Sequence, residues 1–208
     1  GGTVMEDCRV LEACREGKYT SVLVQTHDKK YVEYRTEHFV NALGSGAGKL
    51  CDSMGIDAGL YPVRHQAFIT RRLPMLGKHG TNLDMLIDRQ DYKGFSAVYG
   101  QQIAYTGQII GCASPKLDAM RIDKNLKVNT KAFLEIVSEM FSEWIPDLAG
   151  VGIQAVWAGY YTEPRYIVDP ELGLFVGMRG HGFMLSQYIA RMYVDKLLGR
   201  PVPEYFEK

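Results

Sequence analysis

The chain has 208 residues, and its 24 basic and 24 acidic side chains give a formal net charge of zero. This balance argues against a nucleic-acid-binding protein, which would normally carry a basic excess. With 46% hydrophobic and 23% charged residues, the composition is that of a globular chain with a sizeable core. No apolar run reaches the length of a membrane span, so we expect no span and no signal peptide.

The cysteines and histidines do not form a metal-binding or disulfide pattern. Cys8, Cys14, Cys51 and Cys112 show no CxxC spacing, and the five histidines form neither HxH nor HExxH. We therefore expect no metal site. Buried thiols in a reducing compartment, the cytoplasm, are the simplest expectation.

The first part of the chain is β-rich. Residues 21–26 and 31–36 are rich in Val, Tyr and Thr and flank a polar turn, which predicts a hairpin. The short apolar run 38–43 leads into the glycine-rich segment 44–48. Residues 50–54 then indicate a short helix that ends at a glycine.

The remainder alternates strands with two longer helices. The helix predicted at 130–145 has apolar residues at i, i+3, i+4 and i+7, and a second helix is predicted at 183–198. The predicted buried face of the second comprises Tyr188, Ile189, Met192 and Tyr193. Strands are predicted at 61–72, within 83–113, and at 153–161, 166–168 and 174–177. The fold class is therefore α+β, with an antiparallel middle section.

Two glycine-rich segments follow a strand and precede a helix. Residues 41–48 suit a backbone loop near a phosphate or ring system, although a tight turn explains them equally well. Residues 177–182, Gly-Met-Arg-Gly-His-Gly, are more specific. Backbone N–H groups and the following helix would favour negative charge there, and the glycines would let a flat ligand approach. A plain glycine turn is the alternative.

These segments together resemble the second half of the D-amino-acid oxidase-like FAD-dependent oxidoreductases, the group that includes sarcosine oxidase and glycine oxidase. Residues 38–44 resemble the family's VVNAAG segment, and residues 61–66 are similar to its PxRxQ strand. Residues 157–162, with Asp169, resemble a late strand pair. Residues 177–183 resemble its GxxGHGF flavin loop, the most specific of the four motifs.

The resemblance implies a division of the chain into three ranges. Residues 1–60 would be part of an FAD-binding domain, 61–168 an antiparallel substrate-binding sheet domain, and 169–208 a return to the FAD-binding domain. The family's N-terminal GxGxxG unit, which holds the ADP half of FAD, has no counterpart in this sequence. We expect a missing N-terminal half or a partner subunit to supply it.

The resemblance also implies the residues that contact the flavin. They are Asn41, Gly44, Gly159, Gly177, Arg179, Gly180, His181, Gly182, Phe183 and Met184. Gly159 stands where sarcosine oxidase has the cysteine that bonds covalently to FAD. The resemblance therefore implies non-covalent FAD.

The substrate-binding residues follow from the same resemblance. Tyr161 matches an active-site tyrosine and would contact the substrate. Met184 stands where the family has a carboxylate-binding lysine, and it cannot pair with a carboxylate. Arg179 and Arg165 are candidates for that role because a guanidinium pairs bidentately with carboxylate. A surface or interdomain salt bridge is the alternative for both.

The implied function is oxidation of a small amino acid or secondary amine by hydride transfer to FAD. Ile109 falls near the place of a lysine that promotes oxygen reduction in the family, which favours a dehydrogenase over an oxidase. The fragment alone is expected to be inactive. The alternative is an isolated structural or interaction domain that cannot bind FAD without a partner segment.

Overall fold

A computed structural model describes residues 2–77, 80, 82–90, 95–115, 130–163 and 166–203. The α+β prediction is confirmed, with antiparallel strand pairing throughout the described sheet registers. The elements in chain order are β1 (Arg9–Glu16), β2 (Tyr19–Gln25), β3 (Tyr31–Thr36), α1 (Ala47–Ser53), β4 (Tyr61–Thr70), β5 (Leu86–Asp88), β6 (Phe95–Gln102), β7 (Ile109–Pro115), α2 (Thr130–Trp144), β8 (Ile153–Glu163), β9 (Ile167–Asp169), β10 (Leu174–Val176) and α3 (Gly182–Leu197). In the described part of the chain, each helix is too short or too polar to cross a membrane.

The chain divides into two compact units. The terminal unit combines Gly1–Tyr61 with Tyr161–Lys208, and the central unit is Pro62–Tyr160. The terminal unit is therefore discontinuous in sequence. The three domain ranges expected from the sequence, with their assigned roles, stay a prediction.

The terminal unit contains a three-stranded meander, β1-β2-β3. The predicted hairpin is formed by β2 and β3, and its turn closes through a 2.9 Å hydrogen bond from the Thr26 amide to the Lys30 carbonyl. Alternate side chains of β1 and β2 face inward, as a half-buried strand requires. Ala13, Val22 and Val24 pack there against Leu50 of α1.

The two-stranded sheet β9-β10 forms a second core in the same unit. Leu174 and Val176 of β10 are each 1% exposed and pack against Ala47 and Cys51 of α1. The helix α1 begins three residues before the predicted helix and includes Gly48. At the C-terminus of α1 the chain turns at Gly55, whose left-handed φ of +70° favours glycine.

The central unit is a five-stranded sheet with strand order β5-β6-β7-β4-β8. The helix α2 packs on one face, and the predicted apolar stripe of α2 is buried from Phe133 to Phe141. Phe68 of β4 lies at the centre, with its ring centroid 6.0 Å from that of Phe133 and 5.6 Å from that of Phe141. Burial of this periodic stripe is what fixes the helix on the sheet.

The last helix differs from its prediction at one position. Ile189, Met192 and Tyr193 are buried as expected, but Tyr188 is 47% exposed, so that assignment was wrong. The reason is rotational: Ile189, Met192 and Tyr193 share one face of α3, where Tyr193 packs edge-on against Phe175 of β10, and Tyr188 lies at the edge of that face. The predicted burial of the thiols also holds only for Cys51 and Cys112, because Cys14 is exposed and Cys8 is half-buried.

His65 of β4 has its pKa lowered from 6.5 to about 4, because burial penalises the imidazolium form. The unfolded chain binds this proton near pH 6.5, whereas the folded chain binds it only near pH 4. Acidification through that window therefore favours unfolding. We predict that the free energy of unfolding falls by roughly 3 kcal/mol more in the wild type than in His65→Gln between pH 6.5 and 4.

Urea unfolding at a series of pH values measures this difference. His27→Gln is the matched control, since His27 is exposed in the β2–β3 turn. Parallel pH curves for the wild type and His65→Gln would show that His65 does not carry the effect.

Candidate functional site

The loop 177–182, which connects β10 to α3, contains two left-handed backbone positions and a 3-10 turn, Arg179–His181. Gly177 has φ of +76° and Arg179 has φ of +49°, and the turn closes by a 3.1 Å hydrogen bond from the His181 amide to the Met178 carbonyl. Glycine reaches the left-handed region without steric cost, but arginine pays about 1 kcal/mol. A side-chain contact of Arg179 can offset this cost.

The helix α3 starts without a side-chain cap and has no acidic residue in its first turn. A 3-10 turn, Arg179–His181, runs directly into α3, so only the N–H groups that have no partner within these turns can donate to an acceptor from outside the chain. The helix dipole adds positive potential at the same place. An anionic or electron-accepting ring fits this position.

The side chains beside that helix end are large, apolar and exposed. Phe183 is 101% exposed and Met184 is 70% exposed, while His181 is exposed at the cap position. Neither Phe183 nor Met184 has a side chain that carries a charge or donates a hydrogen bond. Any contact that they make with a ligand is therefore one of shape and apolar surface.

Tyr161, near the end of β8, lies directly against the loop. A Cβ placed on Gly180 would be 2.8 Å from Cε2 of Tyr161, closer than real Cβ contacts. A side chain at position 180 would therefore require the tyrosine ring to shift away from the loop backbone. The structure brings together Tyr161 and the loop, which the sequence had assigned to the same site.

Arg179 forms an ion pair with Glu163 of β8. The Nε–Oε2 distance is 2.7 Å, with the arginine side chain 47% exposed and the glutamate side chain 16% exposed. The salt-bridge alternative for Arg179 is thus realised, within the terminal unit. Arg179 as a carboxylate clamp stays a prediction, and Arg165 lies outside the described residues.

The segment 41–48 is organised by Asn41, which is 1% exposed. Its Nδ2 donates to the Ala47 carbonyl at 3.0 Å, and its Oδ1 accepts from the Leu43 amide at 3.3 Å. Its own backbone amide donates to the Gly173 carbonyl at 2.7 Å. Asn41 therefore holds the loop and α1 in place, rather than projecting from them. Gly44, with φ of +55°, is exposed in the turn that follows.

Two predicted positions lie in the central unit. Gly159 is exposed on β8, with no atom within 4 Å of where its Cβ would be. Ile109 is 4% exposed and belongs to the core under α2. Its neighbour Ile110, 36% exposed, alternates to the opposite face of the sheet. The sequence argument for slow reaction with oxygen was based on Ile109 in place of a lysine. That argument therefore concerns a side chain that faces the core.

Sequence reasoning missed Glu163 and Gly173. Glu163 carries no motif, and only its position two residues after Tyr161 on one strand could have suggested a shared face. A Cβ on Gly173, whose φ is +69°, would lie 2.5 Å from the Phe39 carbonyl. The Leu-Gly-Leu step before β10 was the available signal for that close approach.

A cleft elsewhere in the terminal unit is lined by residues that include Arg15, Lys18, Glu37 and Tyr193. It shares no residue with the loop 177–182. Both of its cations are already engaged, Lys18 with Glu37 at 2.8 Å and Arg15 with the Glu171 carbonyl. Among the residues that the structure describes, no three His, Cys, Asp or Glu side chains form a metal-binding group.

Residues 1–196 match the family model of DAO, the FAD-dependent oxidoreductases. The chain belongs to this family. The glycine oxidase from Bacillus cereus ATCC 14579 is similar in structure, with a TM-score of 0.70 and 20% identity over 98% of this chain and 53% of that one. The L-proline dehydrogenase from P. horikoshii has a TM-score of 0.68 and 25% identity over 93% of this chain and 50% of that one.

The iminodiacetate oxidase (IdaA) from Chelativorans sp. BNC1 also matches, with a TM-score of 0.66 and 14% identity over 96% of this chain and 51% of that one. This member of the DAO family thus spans about half the length of the solved chains that it matches. No curated protein sequence matches it. The resemblance inferred from the four motifs is confirmed, while the residue-level assignments stay predictions.

Substitution of Gly182 tests whether the start of α3 needs a residue without a side chain next to Met178. Its φ is −55°, so the backbone does not require glycine, but a Cβ would lie 2.8 Å from the Cβ of Met178. We predict that Gly182→Val lowers the free energy of unfolding by about 1–3 kcal/mol through this overlap and reduces flavin content.

A second substitution checks the cause. Met178→Gly removes the opposing Cβ and should restore the stability of Gly182→Val, whereas Met178→Ala keeps that atom and should not. Urea unfolding and flavin absorbance of the complete protein measure both effects. Normal stability and flavin content in Gly182→Val would contradict this packing of the loop.

Proposed function

We propose that this chain is the flavin- and substrate-facing half of an FAD-dependent oxidoreductase that oxidises a small amino acid or secondary amine. The proposal rests on the N-terminus of α3, which has no side-chain cap and directly follows the glycine-rich loop 177–182. In that loop Gly177 and Arg179 are left-handed, and the chain belongs to the DAO family. FAD, when bound, accepts a hydride from the substrate C–H beside nitrogen.

The chain's own part would be to stabilise negative charge and allow close approach. The first N–H groups of α3 would donate to the ring, with the helix dipole supporting them. Gly177 would leave the loop backbone uncovered beside the ring, while Gly180 makes room for the Tyr161 ring. Binding would be non-covalent, since glycine at 159 offers no side-chain nucleophile.

Tyr161 and Arg179 would position the substrate. Both belong to the terminal unit: Tyr161 lies against the loop 177–182, and Arg179 is part of it. A guanidinium has five N–H donors, so the bond from Nε to Glu163 leaves its terminal nitrogens for a carboxylate. Burying a substrate carboxylate without such a partner would be costly.

The remaining part of the FAD site would come from a dinucleotide-binding segment, in the same polypeptide or in a partner subunit. Phe183, Met184, Leu185 and Tyr188 support this proposal, since each is at least 38% exposed on the first turns of α3. Exposed apolar side chains of this size favour coverage by another segment. All four cysteines are free, which agrees with a reducing cytoplasm.

The non-catalytic alternative makes the opposite prediction about FAD. The complete protein, or this chain with its partner, would be incubated with FAD and then mixed anaerobically with glycine, L-proline or iminodiacetate. The relatives' names supply this panel. Loss of the oxidised flavin absorption with one of them supports an oxidoreductase. Absence of FAD binding supports the structural or interaction domain.

Within this function we propose a dehydrogenase rather than an oxidase. Neither β6 nor β7 contains a Lys or Arg, so no cation from these strands would assist oxygen reduction, whichever face is considered. We predict slow reoxidation of the substrate-reduced enzyme by air in stopped-flow measurements. Rapid reoxidation would contradict the dehydrogenase assignment.

Arg179→Met tests the carboxylate clamp. For L-proline, we predict a loss in kcat/KM of roughly 10- to 150-fold, equivalent to about 1.5–3 kcal/mol for a charge-assisted hydrogen bond. Pyrrolidine, which lacks the carboxylate, should show a much smaller change. Equal losses for both compounds would assign Arg179 to support of the loop or flavin instead.

A further inference from the structure

We propose that Glu163 is a positioning residue that holds the loop 177–182 in its left-handed turn through Arg179. The inference rests on the proposed function, because the loop matters as the place where FAD binds. It concerns the loop's conformation, which can also be measured without FAD. Glu163 lies at the last position of β8, outside every motif that identified the family.

The ion pair acts at the one non-glycine left-handed residue of the loop. Arg179 has φ of +49°, between Gly177 and Gly180. Its Nε lies 2.7 Å from Oε2 of Glu163. A left-handed conformation at a non-glycine residue persists only where the surroundings stabilise it, and this ion pair supplies that stabilisation.

The burial of the two partners shows which of them is fixed. The Glu163 side chain is 16% exposed, whereas the Arg179 side chain is 47% exposed. The glutamate is therefore the anchored group, and the arginine is held by it. A well-shielded carboxylate also attracts a guanidinium more strongly than an exposed one, because solvent screens it less.

The same strand makes a second contact with the loop. Tyr161 and Glu163 are two residues apart on β8, so their side chains leave the same face of the strand. The Tyr161 ring lies against the backbone of Gly180, while Glu163 holds Arg179. Two neighbouring loop residues are thus fixed by two alternate strand residues. This arrangement sets both the position and the backbone conformation of the loop.

Substitutions at 179 separate the ion pair from the backbone requirement. Arg179→Ala removes the ion pair and keeps a Cβ in the left-handed region. Arg179→Gly also removes the ion pair, but it removes the steric cost of that region as well. We expect Arg179→Ala and Glu163→Ala each to raise the Kd for FAD of the complete protein by about three- to tenfold, and Arg179→Gly to have a smaller effect.

The decisive comparison is Glu163→Ala in two backgrounds. Beside Arg179, the substitution should weaken FAD binding by the stated factor. In the Arg179→Gly background it should change the Kd by less than about twofold, because the residue that it positions is gone. Glu163→Gln keeps an acceptor and a similar shape, and it should fall between Glu163→Ala and the wild type.

Amide hydrogen exchange of the peptide 177–185 gives the same comparison without FAD. We expect faster exchange in Glu163→Ala and Arg179→Ala, and no further increase from Glu163→Ala in the Arg179→Gly background. Glu37→Gln, which removes the charge of a separate ion pair with Lys18, is the matched control and should leave this peptide unchanged.

The outcomes separate this inference from the proposed function. If the wild type fails to bind FAD, the proposed function is wrong, and the exchange data still decide the role of Glu163. Unchanged exchange in Glu163→Ala would overturn the inference. An equal effect of Glu163→Ala in both backgrounds would overturn it as well, because Glu163 would then act on the fold and not through Arg179.

Discussion

The buried side chain of Asn41 is the contact on which the terminal unit depends. Its backbone forms hydrogen bonds with the two residues that flank Leu174, through the Gly173 carbonyl at 2.7 Å and the Phe175 amide at 3.0 Å, while its side chain binds α1. Each of these polar groups is away from water, so losing its partner would cost far more than an exposed hydrogen bond. Because β10 leads directly into the loop 177–182, Asn41 fixes one glycine-rich segment relative to the other.

The sequence was sufficient for elements whose burial follows a regular period. The stripe of α2 and the β2–β3 hairpin were predicted because one repeats with the helical period and the other surrounds a polar turn. The orientation of Ile109 was not readable, since Ile109 and Ile110 are both apolar and either could face the core. Tyr188 fits the helical stripe of α3, but it lies at the edge of the face that Ile189, Met192 and Tyr193 bury.

The candidate site shows the same division between local and long-range information. Glycines at fixed spacing identified the loop 177–182, because the backbone conformation of a turn is determined mainly by the residues within it. Glu163 could not be predicted, because an acidic residue at a strand end has no local sequence signature. Its role depends on a long-range contact with Arg179. Asn41 was found from its motif, but the sequence did not show that its side-chain amide forms hydrogen bonds within the protein.

The discontinuous terminal unit has a consequence for protein synthesis. Asn41 leaves the ribosome on the order of 10 s before its partner Gly173, at typical elongation rates. During that interval the meander is available, but the strand β10 that satisfies Asn41 has not been made. The central unit, by contrast, is continuous and can fold as it emerges. Co-translational folding therefore favours the central unit first, and the loop 177–182 takes shape only when the two ends of the sequence finally meet.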